Sequence, residues 1–341
     1  MQASKSIVCR WGLRLVAAAL ALAFAASSRA EVSEVRIAEQ FGIGYLPLTV
    51  MRHEHLLEQA AAKAGLGDVK VSWSQFGAGN AMNEALLSGN LDFPSGGVGP
   101  LLTIWSKTRG RQDVKGVASL NSMPLYLVTV DPAVKTIKDF SEKDRIALPA
   151  VKISIQAVTL EMAAAQAFGE DEYNKLDPLT VGLAHPDAMA AMLAGKTEIT
   201  AHFGSAPFMY QELDDPRAHR VLNSYEVLGG PHTFNLVWTS KRFHDANPKT
   251  YAAFLAALEQ AMTLIKSDPH RAAAIYVEEE KSKLAPDFIE KMIRDPENVF
   301  TTTPQNVLKY AGFMKKTGAI DAAPTDWKEL FFPDIHAVPG S

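Results

Sequence analysis

One pattern occurs twice in this chain and narrows the possible folds more than any other feature. "ALLSGNLDFPSGGVGP" (Ala85 to Pro100) runs alanine, two large apolar residues, a small residue and Gly89. An acid, Asp92, follows three residues later, and then Phe93. "AMLAGKTEITAHFGSAP" (Ala191 to Pro207) keeps that order with Gly195, Glu198 and Ile199. Glycine adopts the left-handed backbone that closes a helix without a Cβ penalty. Each copy therefore reads as a helix stop, a strand, a loop of small residues and a proline that opens a new helix. Two copies imply two similar α/β lobes. Each presents a loop at the carboxyl end of a strand, the edge at which open parallel sheets bind ligands.

The rest of the chain agrees with this reading. "VRIAEQF" (Val35 to Phe41) alternates as a strand, a helix is expected over Leu48 to Ala64, and "VKVSWSQF" (Val69 to Phe76) is a second strand. A helix over Ala81 to Ser88, a strand at "LDF", a loop at "SGGVGP" and a helix over Leu101 to Lys107 follow. From "LYLVTV" (Leu125 to Val130) the alternation restarts, and after "HTFNLVWTS" (His232 to Ser240) the chain turns helical. The expected fold class is α/β, with two lobes that each carry a mostly parallel sheet flanked by helices and a ligand cleft between them.

Residues 1–30 have the form of a signal peptide. Lys5, Arg10 and Arg14 precede the apolar run Leu15 to Ala26, and "SSRA" supplies small residues for cleavage after Ala30. The run is too short to span a bilayer. Removing the segment takes away the only cysteine, Cys9, and four basic residues. The remaining 30 basic against 38 acidic residues give a formal charge of −8 in place of −4. Disulfides and thiolate metal sites are then excluded. A mildly acidic surface without basic clusters offers nucleic acid nothing to grip.

The first N–H groups of a helix lack intrahelical partners and carry partial positive charge. Small residues let an anion or polar ligand approach them. Candidate helix starts lie at Gly77, Gly79 and Asn80; at Ser95, Gly96 and Gly97; at Ser154, Gln156 and Thr159; and at Gly204. A nucleotide loop needs a lysine after "SGGVGP", and Leu101 stands there. His185, His202 and His232 lie near strand ends and could donate to an anion. Tyr45 and Phe203 could line an apolar wall. His53 and His55, two residues apart, face different sides of a helix and would not share a metal ion. No nucleophile or metalloprotease motif is present, so neither catalytic residues nor a cofactor is expected.

"GYLPLTVMRHEHLLEQAAAKAGL", "EALLSGNLDF", "AMLAGKTEI" and "TTTPQNVLKYAGFMKKTGAI" together resemble periplasmic solute-binding proteins of the nitrate, sulfonate and taurine type, which serve ABC importers. The resemblance spans essentially the whole chain after residue 30. It implies a type II periplasmic binding protein fold, with lobe one at 31–122 plus 233–341 and lobe two at 123–232. It also implies crossing strands near Ser122 to Tyr126 and Asn223 to Phe234, and hinge closure on a ligand. Gly44 and Ser122 join the expected ligand-binding residues on this basis. The implied protein is a periplasmic monomer partnered by an inner-membrane permease, with a small organic anion as ligand. No Arg or Lys lies in the expected loops, so a neutral heteroaromatic stands second. An exported enzyme related to pyrimidine-precursor synthesis, or a ligand-sensing protein on the same fold, is the alternative.

Overall fold

Residues 30–341 are described in a computed structural model. Apart from Ala30, the expected signal peptide lies outside them. The chain opens with β1 (Glu34–Glu39), α1 (Leu46–His53), α2 (Leu56–Lys63) and β2 (Lys70–Gln75). Next come α3 (Gly79–Leu87), β3 (Ser95–Gly97), α4 (Val98–Thr108), β4 (Lys115–Ser119) and β5 (Asn121–Ser122). The middle holds β6 (Tyr126–Thr129), β7 (Ile146–Leu148), α5 (Ile155–Phe168), β8 (Thr180–Gly182), α6 (His185–Ala194), β9 (Ala201–Gly204), α7 (Phe208–Leu213), β10 (His219–Asn223) and α8 (Ser224–Leu228). After β11 (Asn235–Thr239) come α9 (Lys241–Ala246), α10 (Pro248–Ser267), α11 (Pro269–Glu279) and α12 (Pro286–Ile293). β12 (Val299–Phe300) and α13 (Val307–Lys316) close the series.

One lobe is built on a five-stranded sheet in the order β10-β6-β9-β7-β8, all of it between Tyr126 and Asn223. β7 pairs in parallel with β8 and β9, as strand–helix–strand units require, whereas β6 runs antiparallel to β9 and β10. The other lobe pairs β1 with β2 in parallel and joins β3, β11 and β4 antiparallel. Only the five-stranded sheet is thus mixed. Parallel pairs come from the local βαβ units, and antiparallel ones come from β6, from β11 and from the β5–β12 pair.

The repeated glycine stops have the same physical role in both copies. Gly89 and Gly195 both sit at positive φ, +76° and +62°, just beyond α3 and α6. The acids that follow each face an arginine at the start of a strand. Asp92 accepts from Arg36 N, Nε and Nη2 at 2.8–2.9 Å, and Glu198 lies 3.7 Å from Arg145. Asp92 is buried and Glu198 exposed. Asp92→Ala should therefore cost about 1.5–3 kcal/mol in urea unfolding, the range for bonds to charged groups. Glu198→Ala should stay within about 0.5 kcal/mol, as exposed substitutions do. Equal costs would mean that the two acids do not differ in the way their burial implies.

Two expectations are corrected. The helix expected over Leu48 to Ala64 is broken into α1 and α2 because His55 takes a left-handed backbone, φ +50°. Glu54 at the break pairs with Arg271 on α11 at 2.7 Å. The run "SGG", expected as a loop, is strand β3, with Gly97 opposite Asn235 and Ser95 opposite Val237. "LDF", expected as the strand, contributes only a bridge between Phe93 and Ile37. Gly96 suits β3 because a Cβ there would lie 2.8 Å from Gln40 Nε2 and 3.2 Å from the buried Trp238 ring. Among the described residues, no helix is long and apolar enough to cross a membrane.

Candidate functional site

Five helices begin around one small cavity. Tyr45 caps α1, Gly79 starts α3, Gly97 caps α4, Ser154 caps α5, and His185 starts α6. These residues line a cavity of about 20 Å³ together with Gln40, Pro100, Phe234, Pro149, Ile155 and Gln156. No Lys, Arg, Asp or Glu is among the lining residues. Convergent helix starts give the wall a positive potential without a side-chain cation. The site suits an anion or a polar ligand held by neutral donors. Larger hollows, such as the 580 Å³ depression bounded by Asp287, Glu290, Lys291 and Arg294, are open to solvent and contain none of the expected residues.

The two walls belong to different sheets and meet at glycines. A Cβ on Gly97 would lie 2.7 Å from Ile155 Cγ2, and one on Gly99 would lie 2.3 Å from the Ile153 carbonyl. Gly42, at φ +113°, lies under the Ala206 carbonyl, which accepts from Ile43 N at 3.0 Å. A space of about 20 Å³ is roughly what one water needs, so a ligand of several heavy atoms enters only when the walls separate.

Of the residues expected from sequence, Tyr45, Gly79, Gly97, Ser154 and Gln156 line this cavity. Gly96 lies beside it against Gln40. Gly77 faces Ala184 at the start of α6, at 3.5 Å from its own notional Cβ. Asn80, half-buried, has a side-chain oxygen without a partner. The remaining expected residues are committed elsewhere. Ser95 Oγ donates to the Ala38 carbonyl at 2.6 Å, so its hydroxyl braces β3 and does not face the cavity. Gly44 packs against Asn235 and Phe234, and its carbonyl accepts from Asn121 Nδ2 at 2.6 Å. Ser122, Thr159 and His232 belong to a separate buried network. Ser122 Oγ donates to the His232 carbonyl at 2.8 Å, His232 Nε2 meets Ser224 Oγ at 2.8 Å, and Thr159 Oγ1 meets Tyr310 Oη at 3.0 Å. Phe203 and Gly204 lie on β9, and the Phe203 ring is fully buried.

His202 is buried too, and both its nitrogens are engaged. Nε2 meets His185 Nδ1 at 2.8 Å, and Nδ1 makes a short contact with Glu212 Oε1. His185 Nε2 in turn lies 3.3 Å from Gln156 Nε2. Burial pushes the His202 imidazole down to about 3 and His185 well below its ordinary value, while it pushes the Glu212 carboxyl up to about 9. Burial thus favours the neutral form of all three. Gln40, Pro149 and Phe234 are lining residues that sequence reasoning missed, whereas His185 was among the histidines it named. Gln40 carried a usable signal: a polar side chain at the carboxyl end of the first strand, next to glycine.

No family model matches the chain, and no curated protein matches it in sequence. Solved structures do match in fold. The alkanesulfonate-binding protein of Xanthomonas axonopodis pv. citri, bound to MOPS, aligns over 89% of this chain and 97% of its own, with TM-score 0.67 and 21% identity. The periplasmic nitrate-binding protein of Synechocystis PCC 6803 aligns over 87% and 84%, with TM-score 0.66 and 15% identity. A Candida albicans protein described as having the generic periplasmic binding protein fold aligns over 85% and 92%, with TM-score 0.65 and 13% identity. With two lobes, one of them built on a mixed five-stranded sheet, and a cavity walled from both, this chain has the periplasmic binding protein fold.

Proposed function

We propose that this protein is the periplasmic solute-binding component of an ABC importer. It takes a small organic anion, of the sulfonate or taurine kind, between its lobes and does no chemistry on it. Lobe one is assigned to 31–122 plus 233–341 and lobe two to 123–232, with the signal peptide removed after Ala30 and the mature protein a monomer that meets an inner-membrane permease. The observation that carries the reading is the convergence of the starts of α1, α3, α4, α5 and α6 on a cavity without charged side chains. Such a wall favours negative charge by partial dipoles and free amides. The aromatic surfaces of Tyr45 and Phe234 on the same cavity would accommodate an organic tail. The fold relatives include a protein that binds alkanesulfonates and one that binds nitrate.

A thermal-shift screen of methanesulfonate, MOPS, taurine, nitrate and a neutral pyrimidine tests this. At about 100 times its dissociation constant a ligand adds about 2.7 kcal/mol of stability, and the anions should raise the melting temperature accordingly. A shift with the uncharged heterocycle alone would overturn the anion reading, and turnover of the bound compound would overturn the receptor reading. Small-angle scattering adds the mechanism: because a cleft ligand touches both lobes only when they approach, the radius of gyration should fall on saturation.

A further inference from the structure

From the cavity wall a hydrogen-bonded chain runs inward: Gln156, then His185, then His202, then Glu212. The last three are buried, and Glu212 Oε2 has no partner. A neutral imidazole has one N–H and one acceptor nitrogen, so the direction of the bond at one end of such a chain fixes the direction of every other. We propose that the proton on Glu212 sets this direction, and that with Glu212 protonated the chain turns the Gln156 amide so that its NH₂ faces the cavity as a donor to a ligand oxyanion. The inference rests on the anion reading of the cavity, and it makes Glu212 a positioning residue for specificity.

The two directions differ at the ligand. With the proton on Glu212, its hydroxyl donates to His202 Nδ1, His202 Nε2–H donates to His185 Nδ1, and His185 Nε2–H donates to the Gln156 side-chain oxygen, the amide having turned from the orientation that puts its Nε2 3.3 Å from His185 Nε2. The amide nitrogen is then the free end. With Glu212 ionised, every bond reverses: Gln156 Nε2–H donates to His185, and the amide oxygen becomes the free end, which repels an oxyanion. Burial favours the protonated form of Glu212 up to about pH 9.

No other charged group enters the chain among the described residues. On the elements packed against Glu212, Asp187 of α6 is exposed, and Tyr210 of α7 packs its ring edge-on against Tyr126 of β6. On α5, burial raises the Glu161 carboxyl, with Asp177 adding to the rise and Lys152 opposing it.

The test uses ¹⁵N NMR of the histidine rings in the mature protein, together with methanesulfonate affinity, from pH 6 to 10. In the ligand-free wild type, His185 and His202 should both carry their proton on Nε2 at pH 7 and move it to Nδ1 as pH rises through about 9. Methanesulfonate affinity should fall at least tenfold across the same step. Glu212→Gln, which cannot ionise, should lose the fall in affinity at high pH, and its His185 and His202 tautomers should no longer change between pH 6 and 10. Rings that keep one tautomer from pH 6 to 10, or that carry Nδ1–H at pH 7, overturn the chain. Tautomers that switch while affinity stays level overturn the donor role. If no sulfonate, nitrate or taurine binds, the ligand reading fails and takes the donor role with it, while the tautomers still decide the chain.

Discussion

Arg52→Met should destabilise the protein by about 3–5 kcal/mol at pH 8, the cost of removing one partner from a buried ion pair. Arg52 on α1 reaches Glu39 at the end of β1, Glu279 on α11 at 2.8 Å and Glu280 at 3.1 Å. Glu39 is 2% exposed, and its second oxygen has no partner. Burial raises this carboxyl to about 7 from its ordinary 4.5 even though Arg52 pulls it down. A raised folded-state value means that the native state holds the proton more tightly, so stability falls as pH rises from 4.5 to 7. Without Arg52 that window extends further upward. The loss should therefore grow from pH 5 to pH 8 and shrink below pH 4.5, where Glu39 is protonated folded or unfolded. Adding Glu39→Gln to Arg52→Met should restore at least half the loss at pH 8. Denaturant unfolding at both pH values measures all of this, and a loss independent of pH would show that Glu39 is not the group left stranded.

How much of this was legible in advance depended on how local the cause was. Gly89 and Gly195 were readable as helix stops because the left-handed backbone is a property of one residue and its neighbours. The starts of α3 and α4 were readable only to within a few residues: the helices were expected from Ala81 and Leu101 and begin at Gly79 and Val98. "SGG" was misread because small residues signal a loop only when nothing large lies against them. Here Trp238, from a strand far along the chain, packs on Gly96. The break at His55 was invisible for a similar reason, since Glu54 answers to Arg271. His202 was singled out as a possible donor to ligand, yet its partners His185 and Glu212 come from two helices that only the tertiary fold brings to β9.

Gly97→Val should lower affinity for an alkanesulfonate such as MOPS by roughly 10–100-fold while leaving the ligand-free melting temperature within a few degrees of wild type. Gly97 caps α4 on one wall, and Ile155 opens α5 on the other. A Cβ at Gly97 would stand 2.7 Å from Ile155 Cγ2 and 2.8 Å from its Cβ, closer than carbon atoms pack, so a side chain fits only when the walls are apart. Overpacking of this kind costs about 1–3 kcal/mol. Each 1.4 kcal/mol is a factor of ten in binding. If the proposed closure is a separate equilibrium, that cost falls on the ligand-bound arrangement and not on the folding of either lobe. Gly312→Ala, in the middle of α13 with nothing within 4 Å of the added carbon, is the control and should bind as wild type. Isothermal titration gives the affinities, and scattering should show that Gly97→Val keeps the larger radius of gyration at ligand concentrations that compact the wild type. Wild-type affinity in Gly97→Val would mean that the walls need not meet at Gly97 for the ligand to be held.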